Sequence, residues 1–337
     1  MSAMLLVRAL RDPASLGPDT DWTGLISAAR GEQLAGSLAL RLEGHEVPDR
    51  VAAMLESAQG DAAYARTQAL WEAEMARRAL VPLGVPVILL KGTAFHAASL
   101  DACRGRSVGD LDILVPRAAI EAVERALLEA GWERLKPAEG YDDLYYRRWM
   151  HELPPLIHRT RDRMIDVHHT ILPLTARPTP DAAAMIADSI ALESGLRILT
   201  PADMIVHAAA HLIADGDLAG GLRNLWDIDR LLRQFAAADP GFWNALDTRA
   251  RRHELVGPVR RAVRLAHRLY ATPVPAGWGG RRPADGLFRA RLVARDAWGR
   301  ERRKALRFAF YVRGHWLRMP PLMLARHLWT KARGNGA

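Results

Sequence analysis

A single cysteine, Cys103, stands in a chain of 337 residues, so no intramolecular disulfide can form and a reducing compartment is the simple expectation. No stretch reaches the roughly 18 uninterrupted apolar residues that a membrane-spanning helix needs. The first 18 residues lack a basic region followed by a long apolar run, so a signal peptide is not expected. Internal repeats and low-complexity segments are also missing. What remains is a globular chain, 49% hydrophobic, long enough for two domains or for one with extensions. A cytoplasmic location follows as the expectation.

Acidic charge is scarce in one region only. Residues 281–337 carry 15 Lys/Arg against 3 Asp/Glu, a balance of +12, whereas the other 280 residues carry 32 against 35, a balance of −3. The net charge of +9 therefore belongs to the C-terminal tail. That tail also holds Trp298, Phe308, Phe310, Tyr311, Trp316, Leu317, Met323, Leu324, Leu328 and Trp329. Basic-aromatic helices of this kind lie on anionic membranes or on nucleic acid. The competing reading is a helix pair docked on the body with a solvated arginine face. The first reading would add a peripheral membrane location.

Most of the chain reads as helix, including the amphipathic run 63–80, and the pattern from Pro180 onward is mostly helical with loops at 215–221 and 272–286. Between them lies a compact region with strand signals. Val87–Leu90 is a short buried-type strand, and Thr93–Leu100 a short helix. Leu111–Val115 is a second strand, and a helix runs from Pro116 to about Ala130, closed by Gly131. Further strands are expected at 132–135, 144–150, 153–158 and 163–169.

Two segments of this region point to chemistry. Leu90-Lys91-Gly92-Thr93 places a glycine turn and a helix start after an apolar run, which offers backbone N–H groups to phosphate oxygens. Gly109-Asp110-Leu111-Asp112 places two carboxylates on one face of a strand, since side chains at i and i+2 point the same way. Such a pair repels unless a cation lies between, and Mg²⁺ with oxygen ligands is the usual answer. Asp110 and Asp112 would bridge two Mg²⁺ ions. Asp166, in the middle of an otherwise apolar strand, is the candidate third ligand and base. Lys91 and Arg106 would neutralise triphosphate charge, and the Thr93 hydroxyl would reach a phosphate. His168 shares the face of Asp166 and would orient it or touch substrate. His207 and His211 share a helix face, but without the Glu of a His-Glu-x-x-His zinc site they read as packing groups. Trp226 and Asp227 read as helix packing, and Cys103 has no evident base partner.

Taken in order, these segments resemble the polymerase-β-type nucleotidyltransferase superfamily, and more closely its family labelled uncharacterised nucleotidyltransferase. The resemblance rests on Leu89–Gly92, Arg106 with Gly109–Val115, Ile165–His168, Leu199–Leu212 and Arg223–Ile228, and covers about residues 30–270. The turn departs from the superfamily's Gly-Ser or Gly-Gly, being Gly92-Thr93 preceded by Lys91. The resemblance implies an α+β fold with a small mixed-sheet core, and the element pattern and charge divide the chain into an N-terminal helical segment (1–80), this core (81–175), a helical domain (176–280) and the basic tail (281–337). It implies an enzyme that uses Mg²⁺ to move a nucleoside monophosphate from an NTP to an unidentified acceptor. Peptide or small-molecule acceptors of bacterial biosynthetic pathways are one implication. Toxin-like action on tRNA or protein is another. A catalytically idle nucleotide-binding module is the reading outside enzymes, and the three intact carboxylates argue against it.

Overall fold

The fold is known from a computed structural model, which describes residues 2–135, 141–320 and 324, the side chains of 141–144 and 215 excepted. It is an α+β structure built on one mixed sheet of seven strands among the described residues. The strands are β1 (Ile88–Leu89), β2 (Leu111–Leu114), β3 (Trp132–Arg134), β4 (Leu156–His158), β5 (Met164–His168), β6 (Ile190–Ala191) and β7 (Arg197–Ile198). Their order across the sheet is β3-β4-β5-β2-β1-β7-β6. The β2–β5 and β1–β7 pairs are parallel, and the other four are antiparallel.

The central pair sets the geometry that matters most. β2 and β5 run side by side in a register that pairs Leu111 with Ile165, Asp112 with Asp166, Ile113 with Val167 and Leu114 with His168. Ile113, Ile165 and Val167 are buried in the core. Their burial fixes which face the aspartates take, because a slip of one residue would turn every side chain over.

Helices surround this sheet. The N-terminal ones are Ser2–Arg11, Trp22–Gly31, Ala35–Arg41 and the 32-residue Asp49–Leu80, which contains the amphipathic run expected at 63–80. The Asp21 carboxylate caps the second of these by accepting from Gly24 N–H. Beyond the sheet, Thr200 caps Pro201–Ala209 by accepting from Asp203 N–H, with Pro201 in the first turn. That helix passes without a break into a π-helical turn at Ala210–Asp215. Gly221–Ala238, Phe242–Arg252 and Val256–Tyr270 complete the layer that packs with it. One continuous buried apolar cluster joins the N-terminal helices, the sheet and this layer, from Ala3 to Phe310.

Two expectations are corrected. Residues 144–150 are not a strand, because Tyr141–Trp149 is helical. Tyr145 and Trp149 lie one turn apart with ring centroids at 5.9 Å, and Arg147 reaches Glu124 on the neighbouring helix at 2.9 Å. Aromatic content suggested a strand, and the i, i+4 contact decides for a helix. The region after Pro180 also holds the β6–β7 pair, which extends the sheet past β1.

The tail contains helices at Asp285–Leu292 and Lys304–Arg318. Trp298, Phe308 and Trp316 are exposed there, whereas Phe310 is buried in the core cluster. Met323, Leu328 and Trp329 lie outside the described residues. Among the described residues no helix is long and apolar enough to cross a membrane.

Candidate functional site

Three carboxylates converge at one edge of the central strand pair. Asp110 precedes β2, Asp112 lies within it, and Asp166 sits beside Asp112 on β5. One oxygen from each lies within 4.8 Å of the others, an arrangement able to hold a metal ion. Asp166 Oδ1 is buried and has no hydrogen-bond partner among the described residues. Burial, with the charges of Asp112 and Glu152, pushes the Asp166 carboxyl up to about 7. An unpaired buried carboxylate oxygen facing two further acids suits a divalent cation.

Asp112 has the opposite electrostatics. It is 2% exposed, so burial alone would raise its pKa. Lys91 Nζ lies 2.5 Å from its Oδ1, and His168 Nε2 donates to the same oxygen at 3.0 Å. These contacts outweigh burial and hold Asp112 well below the usual carboxylate range. Burial opposes charge on Lys91 too, but Asp112 keeps its ammonium above the ordinary value. His168 is enclosed between acids, its Nδ1 lying 3.3 Å from Glu152 Oε2. Burial pulls His168 down, yet the bond to Asp112 and the charge of Glu152 carry it above the usual imidazole value. The His151 ring stacks on His168 with centroids 5.2 Å apart.

The glycine turn works differently from its sequence reading. Lys91 opens the Lys91–Ala97 helix with φ of +47°, a left-handed conformation unusual for a lysine. A Cβ added at Gly92 would lie 1.6 Å from Arg106 Nη1 and 2.8 Å from Val108 Cγ2. Gly92 therefore leaves room for the Arg106 guanidinium. Arg106 is buried, pairs through Nε with Asp227 Oδ2 at 2.9 Å, and lies over the Phe95 ring. Asp227 thus anchors Arg106 across 121 residues of chain, more than helix packing alone. Thr93 is 1% exposed and is not among the described residues that line the adjoining cavity.

That cavity, of about 170 Å³, joins these groups to the helical layer. Lys91, Gly92, Arg106, Asp110 and Asp112 line one side, and His207, His211, Arg223, Asn224 and Asp227 the other. Arg223 forms no ion pair among the described residues, and burial together with Arg106 pulls its guanidinium below the ordinary value. Burial and the charge of Lys91 hold His211 down at about 3 and His207 well below the imidazole range, so both rings are neutral near pH 7. Sequence reading placed these histidines against the α/β unit as packing groups and gave Arg223 no role. Their i, i+4 spacing was the available signal, since it aims both rings the same way. The structure brings Lys91, Gly92, Arg106, Asp110 and Asp112 to the cavity and sets Asp166 and His168 against Asp112. Thr93, Asp166 and His168 do not line the cavity themselves, and of these Thr93 alone has no hydrogen bond or strand pairing with the acids among the described residues.

Comparison with known families gives one result. The family described as Uncharacterised nucleotidyltransferase matches residues 18–271, well over half of the chain. No curated protein matches it.

Proposed function

Since the chain belongs to the uncharacterised nucleotidyltransferase family, we propose that it transfers a nucleoside monophosphate from an NTP to a hydroxyl or phosphate acceptor. The observation that carries this reading is the convergence of Asp110, Asp112 and Asp166 within 4.8 Å, with Asp110 and Asp112 sharing one cavity with Lys91, Arg106 and Arg223. Acids that gather a metal on one side and guanidinium groups on the other suit a triphosphate held between them.

In the proposed reaction an acceptor oxygen attacks the α-phosphorus, the bond from that phosphorus to the bridging oxygen breaks, and pyrophosphate leaves. When the acceptor is a hydroxyl, its proton passes to the Asp166 carboxylate. Mg²⁺, as two ions held by Asp110, Asp112 and Asp166, would neutralise triphosphate charge and acidify the acceptor hydroxyl. Lys91, Arg106 and Arg223 take up phosphate charge. Gly92 gives Arg106 its path, and Thr93 supports the turn from behind. His168 orients Asp112. In this scheme the 81–175 core supplies the acids and the 176–280 helices close the nucleotide side. A peptide, a small molecule or RNA then remains as the acceptor to be identified, with the 281–337 tail available for an anionic surface or nucleic acid.

The test is incubation with labelled ATP, GTP, CTP and UTP, Mg²⁺ and acceptor pools of peptides, small molecules and RNA. We expect labelled acceptor and pyrophosphate, reduced by about 10²–10³-fold or more in Asp110→Ala/Asp112→Ala. Transfer that persists in the double variant removes the site assignment. Nucleotide binding without transfer to any pool replaces the enzyme with a binding module.

A further inference from the structure

A second and larger cavity, of about 810 Å³, opens in the helical part of the molecule. Six arginines line it: Arg177, Arg260, Arg261, Arg264, Arg282 and Arg313. Structural pairing accounts for three. Arg260 Nη2 meets Asp247 Oδ1 at 2.6 Å, Arg261 meets Asp285 at 3.2 Å, and Arg264 grips Asp285 at 2.6 and 3.0 Å. The other three, Arg177, Arg282 and Arg313, form no ion pair among the described residues.

Arg313 is the most informative of these. Its Nη2 donates to the Ile213 carbonyl at 2.8 Å, while its Nη1 is buried and has no hydrogen-bond partner among the described residues. A buried guanidinium N–H left unpaired is costly unless something else accepts from it. Burial, with the neighbouring positive charge of Arg261, lowers the Arg313 guanidinium to about 10, and its Cζ lies 4.9 Å from the Phe288 ring centroid and 5.9 Å from that of Phe310. The first turn of the 15-residue Val256–Tyr270 helix also lines the cavity and brings the positive end of its dipole to it. Residues 321–337 contain no Asp or Glu whose side chain could balance this charge.

We propose that this cavity binds a small ligand carrying several phosphate groups, at a site distinct from the acid-lined cavity. Forked guanidinium donors match phosphate oxygens two at a time, and each phosphate brings more charge than a carboxylate. The volume lies within the range of small-molecule pockets. Concavity favours such a ligand over a nucleic acid backbone, which follows an open basic stripe. The two cavities share a wall. The π-helical turn Ala210–Asp215 gives His211 to the acid-lined one and Ile213 and Ala214 to the arginine-lined one.

The test is calorimetric titration of the intact protein with inositol hexakisphosphate, at low salt, in EDTA and without nucleotide. We expect one ligand per chain, weakened at least about tenfold in Arg177→Ala/Arg282→Ala, whose side chains are exposed and spare the fold. Arg313→Gln, which keeps a donor for the Ile213 carbonyl, should weaken binding by a similar factor. Absence of saturable binding, or equal affinity in both variants, overturns the proposal. So does single-stranded RNA that binds with the same arginine dependence while inositol hexakisphosphate does not. Nucleotide transfer is not the readout, so failure here leaves the reaction proposed above standing.

Discussion

Asp203 and Asp285 in the helical part of the molecule and Asp166 at the sheet edge are treated in opposite ways, although Asp112 beside Asp166 is paired like the first two. Asp203 and Asp285, both 0% exposed, are fully engaged. Arg249 and His253 hold Asp203 at 2.7 and 3.1 Å, and Arg261 and Arg264 hold Asp285. Burial pushes both acids up, and their partners bring both below the ordinary carboxylate value. At the sheet edge three acids share a small space, one Asp166 oxygen has no partner among the described residues, and Asp166 rises to about 7. The first arrangement serves the fold. The second is unfavourable by itself and makes sense where a cation and a reaction repay it.

The largest effect should come from breaking the satisfied side. Asp203→Ala removes the buried partner of Arg249 and His253, leaving Arg249 only the exposed Asp188, and should lower stability by about 3 kcal/mol in urea unfolding. A loss below about 1 kcal/mol would mean that the paired acids are not structural in the sense drawn here.

A smaller effect tests the cation opposite the acids. Gly92→Ala forces the Arg106 guanidinium from its place and strains its bond to Asp227. We expect the KM for NTP to rise about tenfold, a cost of about 1.4 kcal/mol. Unchanged kinetics would show that Arg106 serves Asp227 alone.

The smallest effect sharpens the contrast through pH. Because the folded pKa of Asp166 is raised, the fold retains its proton better than the unfolded chain does. That contribution is present below about pH 4 and is lost as pH rises through 7. Asp166→Asn removes the dependence. It should be more stable than the parent protein by about 1 kcal/mol at pH 8 in EDTA, after discounting for solvent screening, and equal to it near pH 4. Identical pH profiles would mean that the acids do not repel. Asp112, with its pKa depressed, behaves in the reverse sense and loses stability only on strong acidification.

The sequence made some of this visible for physical reasons. Alternation along a strand put Asp110 and Asp112 on one face, and an acid amid Ile165 and Val167 marked Asp166. Proline and glycine bracketed the helix that occupies Ile120–Glu129. What stayed hidden depended on distant parts of the chain. β6 and β7 have two residues each, too few to show a period, and β7 exists because β1 pairs with it. The role of Asp227 rests on Arg106, 121 residues away. Which groove receives His207, His211 and Arg223 is decided by how their helices lie on the sheet. The aromatic run around Tyr145 misled because β-propensity is weaker than a local contact one turn away.

The pairing of Asp112 with Asp166 across neighbouring parallel strands has one more consequence. The spacing between these acids is dictated by main-chain ladder bonds, not by side-chain packing that drifts with each substitution. Exchange among apolar residues along β2 or β5 can therefore vary widely while the acids keep their separation. The ladder acts as a ruler. A protein that still assembles this sheet still measures the same gap, and one that mis-threads by a single notch turns an acid into the interior.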